Sequence, residues 1–223
     1  QTVVKTTDRD QTYHREIFSR VIQEDGHVIS AGVFMPLAQR LGVVAALDRV
    51  VIKQAMKVTR EQAGADHLAV NVSAVSLKDE SFLDWIYAQL QNVPETMPKL
   101  VFEFVEYSAV QNMDTMREFS TRVREAGHGI ALDHFGSSFS NFGYLQSMRP
   151  DYVKIDRAFT NELGKDDSDS DFFISSLCSV AHSLDVEVIA EGVENAEQFE
   201  LLKELDVDGV QGYYIDKPGP LDA

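Results

Sequence analysis

A single cysteine, Cys178, leaves no partner for an intrachain disulfide and no set of thiolates for a soft metal. Basic residues are scarce. Twenty Lys and Arg stand against thirty-six Asp and Glu, a formal charge of -16, which is a poor footprint for gripping a DNA or RNA polymer through its phosphates. No apolar run approaches the ~20 residues of a membrane span, and no basic segment followed by an apolar one opens the chain. These absences predict a soluble domain in a reducing, cytoplasmic setting, with no membrane contact of its own, although a membrane-anchored parent protein would give its cytoplasmic domain the same composition. Hydrophobic residues make up 44% of the 223, enough for a substantial core and too many for a disordered chain.

Periodicity and punctuation predict an opening antiparallel hairpin, Gln1–Val4 and Tyr13–Val21, around the polar turn Lys5–Asp10. Helical stretches at Val33–Leu41 and Ala45–Gln62 then lead into an alternation. Strands at His67–Ser73, Lys99–Val105, Gly129–Leu132, Tyr152–Ile155, Glu187–Ala190 and Val210–Ile215 are separated by helices at Lys78–Gln91, Asn112–Ala126, Asn141–Ser147, Asp171–Leu184 and Ala196–Leu205. Eight strands in one domain of this length favour a closed α/β barrel over an open sheet. The six-residue turn between the first two strands is too short for a parallel crossover. No linker or repeat breaks the pattern, so residues 1–223 are expected to form one domain. Asp167, Asp169 and Asp171 imitate the start of a calcium loop, but Phe172 and Cys178 occupy the places of its Gly and Glu, which leaves a solvated loop that caps the next helix.

Barrel chemistry gathers at the C-terminal ends of the strands, and there polar residues interrupt apolar runs. Glu16, Asn71, Glu103, Asp133, Lys154, Asp156 and Glu191 all stand at such places, with Gln211 expected to begin the last strand and Arg20 expected on the face of Glu16. Taken singly, a strand-end Asp or Asn more often caps the following helix. Several carboxylates converging on one mouth must be protonated or share a cation, and oxygen donors of this kind suit a hard divalent ion. Lys154 would either neutralise these acids or stabilise charge on a transferring phosphoryl group. Phosphate-binding Gly-rich loops, a His-Glu-x-x-His helix and a Gly-x-Ser-x-Gly elbow are all missing. Satisfied or solvated imidazoles are expected for His14, His27, His67, His128 and His182, whereas His134, directly after Asp133, is placed to reach a ligand.

These residues fall into ordered motifs: Glu16-Ile17-Phe18-Ser19-Arg20, Val70-Asn71-Val72-Ser73, Phe102-Glu103-Phe104-Val105-Glu106, Leu132-Asp133-His134-Phe135-Gly136, Val153-Lys154-Ile155-Asp156-Arg157, Ile189-Ala190-Glu191-Gly192-Val193-Glu194 and Gln211-Gly212-Tyr213-Tyr214, after an opening Gln1. In them the chain resembles the EAL domain, the bacterial cyclic di-GMP phosphodiesterase family. The resemblance implies a modified TIM barrel with an antiparallel first strand. It assigns Glu16, Asn71, Glu103 and Asp133 to a first divalent metal, Mg²⁺ or Mn²⁺, with Ca²⁺ inhibitory in an active enzyme. Lys154 and Glu191 would be catalytic, and Gln1, Arg20, Asp156, Glu194 and Gln211 would bind or frame the ligand, Glu194 supporting the loop after strand five. A homodimer is implied, covering apolar surface at Phe135, Phe139 and Phe142.

The departures shape the functional expectation. Active members carry a second Asp, a ligand to a second metal, where this chain has His134, and a Gly in the following loop where it has Ser138. Imidazole brings no negative charge and is a poor Mg²⁺ ligand. The expected function is therefore a cyclic di-GMP receptor with weak or no hydrolysis, a fragment of a longer signalling protein whose flanking helices and other domains lie elsewhere. The alternatives are an active phosphodiesterase producing linear pGpG, and a scaffold that binds only protein, to which Glu16, Arg20, Lys154 and Gln211 would be of no use.

Overall fold

A computed structural model describes residues 1–61, 67–91, 98–137, 142–165 and 169–220. Strands β1 (Thr2–Lys5) and β2 (Thr12–Ile17) pair antiparallel, with a bulge between Val3 and Val4. The second strand is shorter than expected. The chain leaves the barrel at Phe18 and Ser19, and Arg20 opens a separate hairpin of β3 (Arg20–Ile22) and β4 (Val28–Ser30). That hairpin closes through an Asp25-Gly26 turn, where Gly26 takes a φ of 87° that other residues resist. Arg20 therefore does not share the strand face of Glu16.

Helices α1 (Ala31–Leu41) and α2 (Val44–Glu61) follow, α1 ending on the left-handed Gly42. The alternation then runs β5 (Leu68–Asn71), α3 (Glu80–Leu90), β6 (Leu100–Val105), α4 (Glu106–Val110), α5 (Met113–Glu125), β7 (Gly129–Phe135), α6 (Gly143–Met148) and β8 (Tyr152–Ile155). It finishes with α7 (Arg157–Thr160), α8 (Ser170–His182), β9 (Glu187–Ala190), α9 (Ala196–Glu204) and β10 (Gly209–Val210). Asp169 stands at the N-cap position of α8 without a side-chain cap bond, so the expected capping role is not taken by it, and 166–168 lie outside the described residues.

The barrel closes in the order β1-β10-β9-β8-β7-β6-β5-β2, with β1 antiparallel to both neighbours and the remaining pairs parallel. Apolar residues on both faces of β5 to β9 allow this, since helices cover the outside. Leu100, Phe102 and Phe104 of β6 face outward into the main core. Ala69, Val101 and Ala131, with Tyr152 against them, form a small separate cluster inside. Because strand side chains repeat every two residues, the next inward positions are Asn71, Glu103, Asp133 and Lys154. His14 and Glu16 of β2, and Ile189 and Glu191 of β9 and its end, follow the same stagger. A polar layer thus sits directly above a floor of small residues.

The last strand is also shorter than the expected Val210–Ile215. Gln211 follows β10 instead of beginning it, and its carbonyl accepts from Val193 N at 3.0 Å. A side chain at Gly212 would put Cβ 2.1 Å from Val193 O, so only glycine lets the two loops meet. Phe135 is fully buried and Phe142 packs on it with ring centroids 5.2 Å apart. Phe135 thus offers no surface to the expected dimer contact, Phe142 is half-buried, and Phe139 falls in 138–141, outside the described residues.

Candidate active site at the barrel mouth

Lys154 stands at the centre of the polar layer and is completely buried. Its Nζ lies 2.7 Å from Glu16 Oε2, 2.7 Å from Glu191 Oε1 and 3.3 Å from Glu103 Oε2. Glu16 also accepts from Asn71 Nδ2 at 2.6 Å and from Gln211 Nε2 at 2.8 Å. Gln211 reaches the side-chain oxygen of Gln1 at 3.3 Å. The structure thereby brings together Gln1, Glu16, Asn71, Glu103, Asp133, Lys154, Glu191 and Gln211.

One ammonium among four carboxyl groups cannot satisfy them equally. Burial works against the charge of Lys154, but Glu103, Glu16, Glu191 and Asp133 overcome it and raise Lys154 well above its ordinary value. Burial also opposes ionisation of Glu16, yet the Lys154 contact and the bonds from Gln211 and Asn71 outweigh it and lower the carboxyl. Glu103 goes the other way: burial, reinforced by the Glu16 charge, pushes it well up. Burial likewise raises Asp133 and Glu191 despite the pull of Lys154. The layer is short of positive charge.

Among the described residues, no three His, Cys, Asp or Glu side chains are gathered tightly enough to hold a metal as they stand. The donors nevertheless suit one. Glu16, Asn71, Glu103 and Asp133 are hard oxygen ligands, and the layer holds more carboxyl groups than its one ammonium, Lys154, can balance. Asn71 must turn its amide to present oxygen, since its Nδ2 now faces Glu16.

His134 occupies the rim, 47% of its side chain exposed, with a left-handed φ of 58°. Its Nδ1 is hydrogen-bonded to Asp156 Oδ2, and its Nε2 lies 3.7 Å from Asp133 Oδ2. Burial alone would lower this imidazole, but the charge of Asp133 and the contact with Asp156 raise it above its ordinary value. Asp156 in turn accepts from Ala158 N at 2.8 Å, capping α7, and this bond with the His134 contact lowers it against the effect of burial.

A cavity of about 320 Å³ opens beside this layer, lined by Phe18, Arg20, Arg157, Glu191, Glu194 and Gln211 among others. Arg20 is exposed and folded back, its Nη1 donating to Ser19 O at 2.9 Å and its guanidinium 5.6 Å from the Phe18 ring centre. Glu194 is exposed on the cavity wall, and its backbone N–H donates to Gln198 Oε1. The loop it was expected to support lies mostly within 138–141. Arg157, Phe18 and Tyr213 line the cavity without having been singled out from the sequence. Their adjacency to Asp156, Arg20 and Gln211 in the chain is the signal that could have found them.

His14 is the other departure. It was expected to be satisfied or solvated, yet it is 0% exposed and neither ring nitrogen has a hydrogen bond. The period of two that carries Glu16 inward carries His14 inward as well.

Comparison with known proteins decides the family. Residues 1–218 match the EAL domain. The chain belongs to the EAL domain family. It is 32% identical over 209 residues to the cyclic di-GMP phosphodiesterase PdeB of Shewanella oneidensis, covering 92% of this chain and 24% of PdeB. It is 31% identical over 216 residues to the cyclic di-GMP phosphodiesterase PdeF of Escherichia coli, covering 96% and 29%. The chain therefore spans about a quarter of the length of the first relative and less than a third of the second. Among solved structures, the PaMucR phosphodiesterase in complex with c-di-GMP superposes with a TM-score of 0.87 at 28% identity, over 99% of this chain and 95% of that one. The S helix-GGDEF-EAL segment of Vibrio cholerae LapD bound to c-di-GMP gives 0.85 at 30% identity, over 97% and 52%.

Proposed function

We propose that this EAL domain binds cyclic di-GMP at the barrel mouth and hydrolyses it weakly or not at all, serving as the receptor module of a larger cytoplasmic signalling protein. The observation that carries the reading is His134. Its Nδ1 is engaged by Asp156, and it adds no carboxylate beside Asp133 where a second hard cation would need one. Binding is supported by the cavity itself, where Arg20 and Arg157 offer positive charge to a dianionic ligand and Gln1, Glu194 and Gln211 offer polar contacts, with Asp156 at the rim. Glu16, Asn71, Glu103 and Asp133 would hold Mg²⁺ or Mn²⁺, which supplies a Lewis acid and an acidified water when bound. Lys154 and Glu191, 2.7 Å apart, would position and exchange protons beside the phosphate. Solved relatives are described as bound to c-di-GMP, which supports the same ligand here.

A second reading is an active phosphodiesterase giving linear pGpG, with His134 accepting Mn²⁺ and with Ca²⁺ inhibitory. Its support is the intact layer around Lys154, together with relatives named as phosphodiesterases. One sample decides between them. Calorimetry with Ca²⁺ present should show one-site nucleotide binding, weakened by roughly 1.5–3 kcal/mol in Arg20→Ala, the range for a hydrogen bond to a charged group. The absence of binding at high micromolar nucleotide overturns both readings. Turnover in Mg²⁺ on the order of 1 s⁻¹, within the ordinary enzyme range, selects the second. Work as a homodimer beside other domains is part of the proposal, and sedimentation over a concentration series would remove it if the chain stays monomeric with and without nucleotide.

A further inference from the structure

The barrel floor beneath the mouth holds a buried polar contact that the assigned roles do not use. His14 Nε2 lies 3.6 Å from Glu103 Oε1, with both side chains wholly inaccessible. Neither nitrogen of His14 nor that oxygen of Glu103 has a hydrogen-bond partner, while Glu103 Oε2 is turned to Lys154. Tyr152 lies 5.5 Å away between ring centres, and Ala69, Val101 and Ala131 complete the floor. A buried imidazole facing a buried carboxylate oxygen at this distance is one small ring rotation from a hydrogen bond.

We infer that His14 is a positioning residue: its Nε2–H donates to Glu103 Oε1 and leaves only Oε2 to face the mouth. The inference rests on Glu103 serving as a metal ligand, as proposed above. Imidazole is suited to the task because a neutral ring offers one N–H and costs less to bury than a charged donor. The chemical consequence is selectivity. A carboxylate with one oxygen committed binds a cation through the other alone, which Mg²⁺ and Mn²⁺ accept, whereas Ca²⁺ gains from bidentate carboxylates and higher ligand number. Groups that orient metal ligands from behind act in this manner elsewhere.

The test uses the whole domain in two variants, with metal affinity measured by calorimetry and by Mn²⁺ titration without nucleotide. His14→Phe fills the same space and removes the donor. It should still fold, because the ring fills the same space, and it should weaken Mg²⁺ and Mn²⁺ about 10- to 100-fold. The Ca²⁺ affinity should fall less, so that preference moves toward Ca²⁺. His14→Gln, which restores an N–H donor, should recover most of the loss. Parent protein that binds no divalent ion overturns the metal assignment itself. Parent protein that binds Mn²⁺ while His14→Phe binds it within twofold overturns only the role of His14. Should His14→Phe fail to fold, ¹⁵N-histidine spectra of the parent with Mg²⁺ decide, using His14→Gln to assign the signal. The Nε2–H tautomer sustains the inference, and an Nδ1–H tautomer overturns it.

Discussion

The two ends of the barrel treat polar groups in opposite ways. At the N-terminal ends of the parallel strands several polar side chains bond the backbone of a neighbouring strand. His67 Nδ1 accepts from Lys99 N and His128 Nδ1 from Leu100 N, both at 3.0 Å, while Asp151 Oδ2 accepts from Ile130 N at 2.9 Å. Asp208 Oδ2 takes both Val188 N and His182 Nε2 at 2.7 Å. At the C-terminal mouth, Lys154 is shared among Glu16, Glu103 and Glu191, and Glu103 keeps one oxygen without a hydrogen bond. One end pairs its groups locally and holds the strands in register. The other leaves charge unbalanced and therefore has free energy to give to a ligand.

Removing Lys154 should break the contrast most severely. Lys154→Met leaves Glu16, Glu103, Glu191 and Asp133 buried with no cation, and the stability loss should be about 3–5 kcal/mol, as when one partner of a buried pair is deleted. Without the ammonium these acids ionise less readily in the folded protein than in the unfolded chain, so the loss should grow as pH rises. Urea denaturation at pH 5.5 and 8 measures it. A loss below about 1 kcal/mol at both pH values would mean that the mouth is balanced without Lys154.

At the opposite end, His128→Ala should cost about 2–3 kcal/mol through a lost acceptor and a cavity, with cyclic di-GMP affinity unchanged. Burial, helped by Lys99, lowers His128 to about 4 in the folded state. The unfolded chain thus takes up the proton first, and stability is lost as pH falls from about 6.5 toward 4. The variant should flatten that part of the stability profile, read by urea titration at pH 7.5 and 5. An equal slope in both proteins would place the acid sensitivity elsewhere.

The fold was legible because its code is repetitive. Apolar β5 to β9 alternating with amphipathic helices leave few architectures open, and polar residues interrupting apolar strand ends gather Asn71, Glu103, Asp133 and Lys154 at one barrel mouth. Arg20 was misplaced for the same reason. A strand pattern extended through Phe18 and Ser19 conceals a chain that leaves the sheet there and opens a separate hairpin at Arg20. His14 was missed because a lone histidine in an apolar strand is ordinarily satisfied. Its lack of partners arises from what faces it across the barrel, which no local window contains. The end of β10 depended on Gly212 meeting Val193, a contact between segments brought together only by closure.

A smaller change should sharpen the contrast at its upper edge. His134→Asp adds a carboxylate between Asp133 and Asp156, and aspartate tolerates the left-handed backbone found there. Without metal the variant should be less stable, by about 1 kcal/mol, from like-charge crowding. In Mg²⁺ its hydrolysis of cyclic di-GMP should rise more than about tenfold, equivalent to 1.4 kcal/mol of barrier. Chromatographic separation of linear pGpG follows both, with Ser138→Gly added in parallel. An unchanged rate in both variants would remove His134 as the limiting feature.

Because β1 runs against its neighbours, the chain enters this barrel where it also leaves it. Gln1 Nε2 donates to Asp216 O at 3.0 Å, and Thr2 N and Oγ1 both donate to the Asp216 carboxylate, so positions more than two hundred apart in sequence are buttoned together at the rim. The same Gln1 touches Gln211, which touches Glu16. Mechanically, the domain is a bead gripped at a single point. From Gln1 the contacts run through Gln211 and Glu16 to Lys154, so the rim where the two ends meet is also the edge of the polar layer.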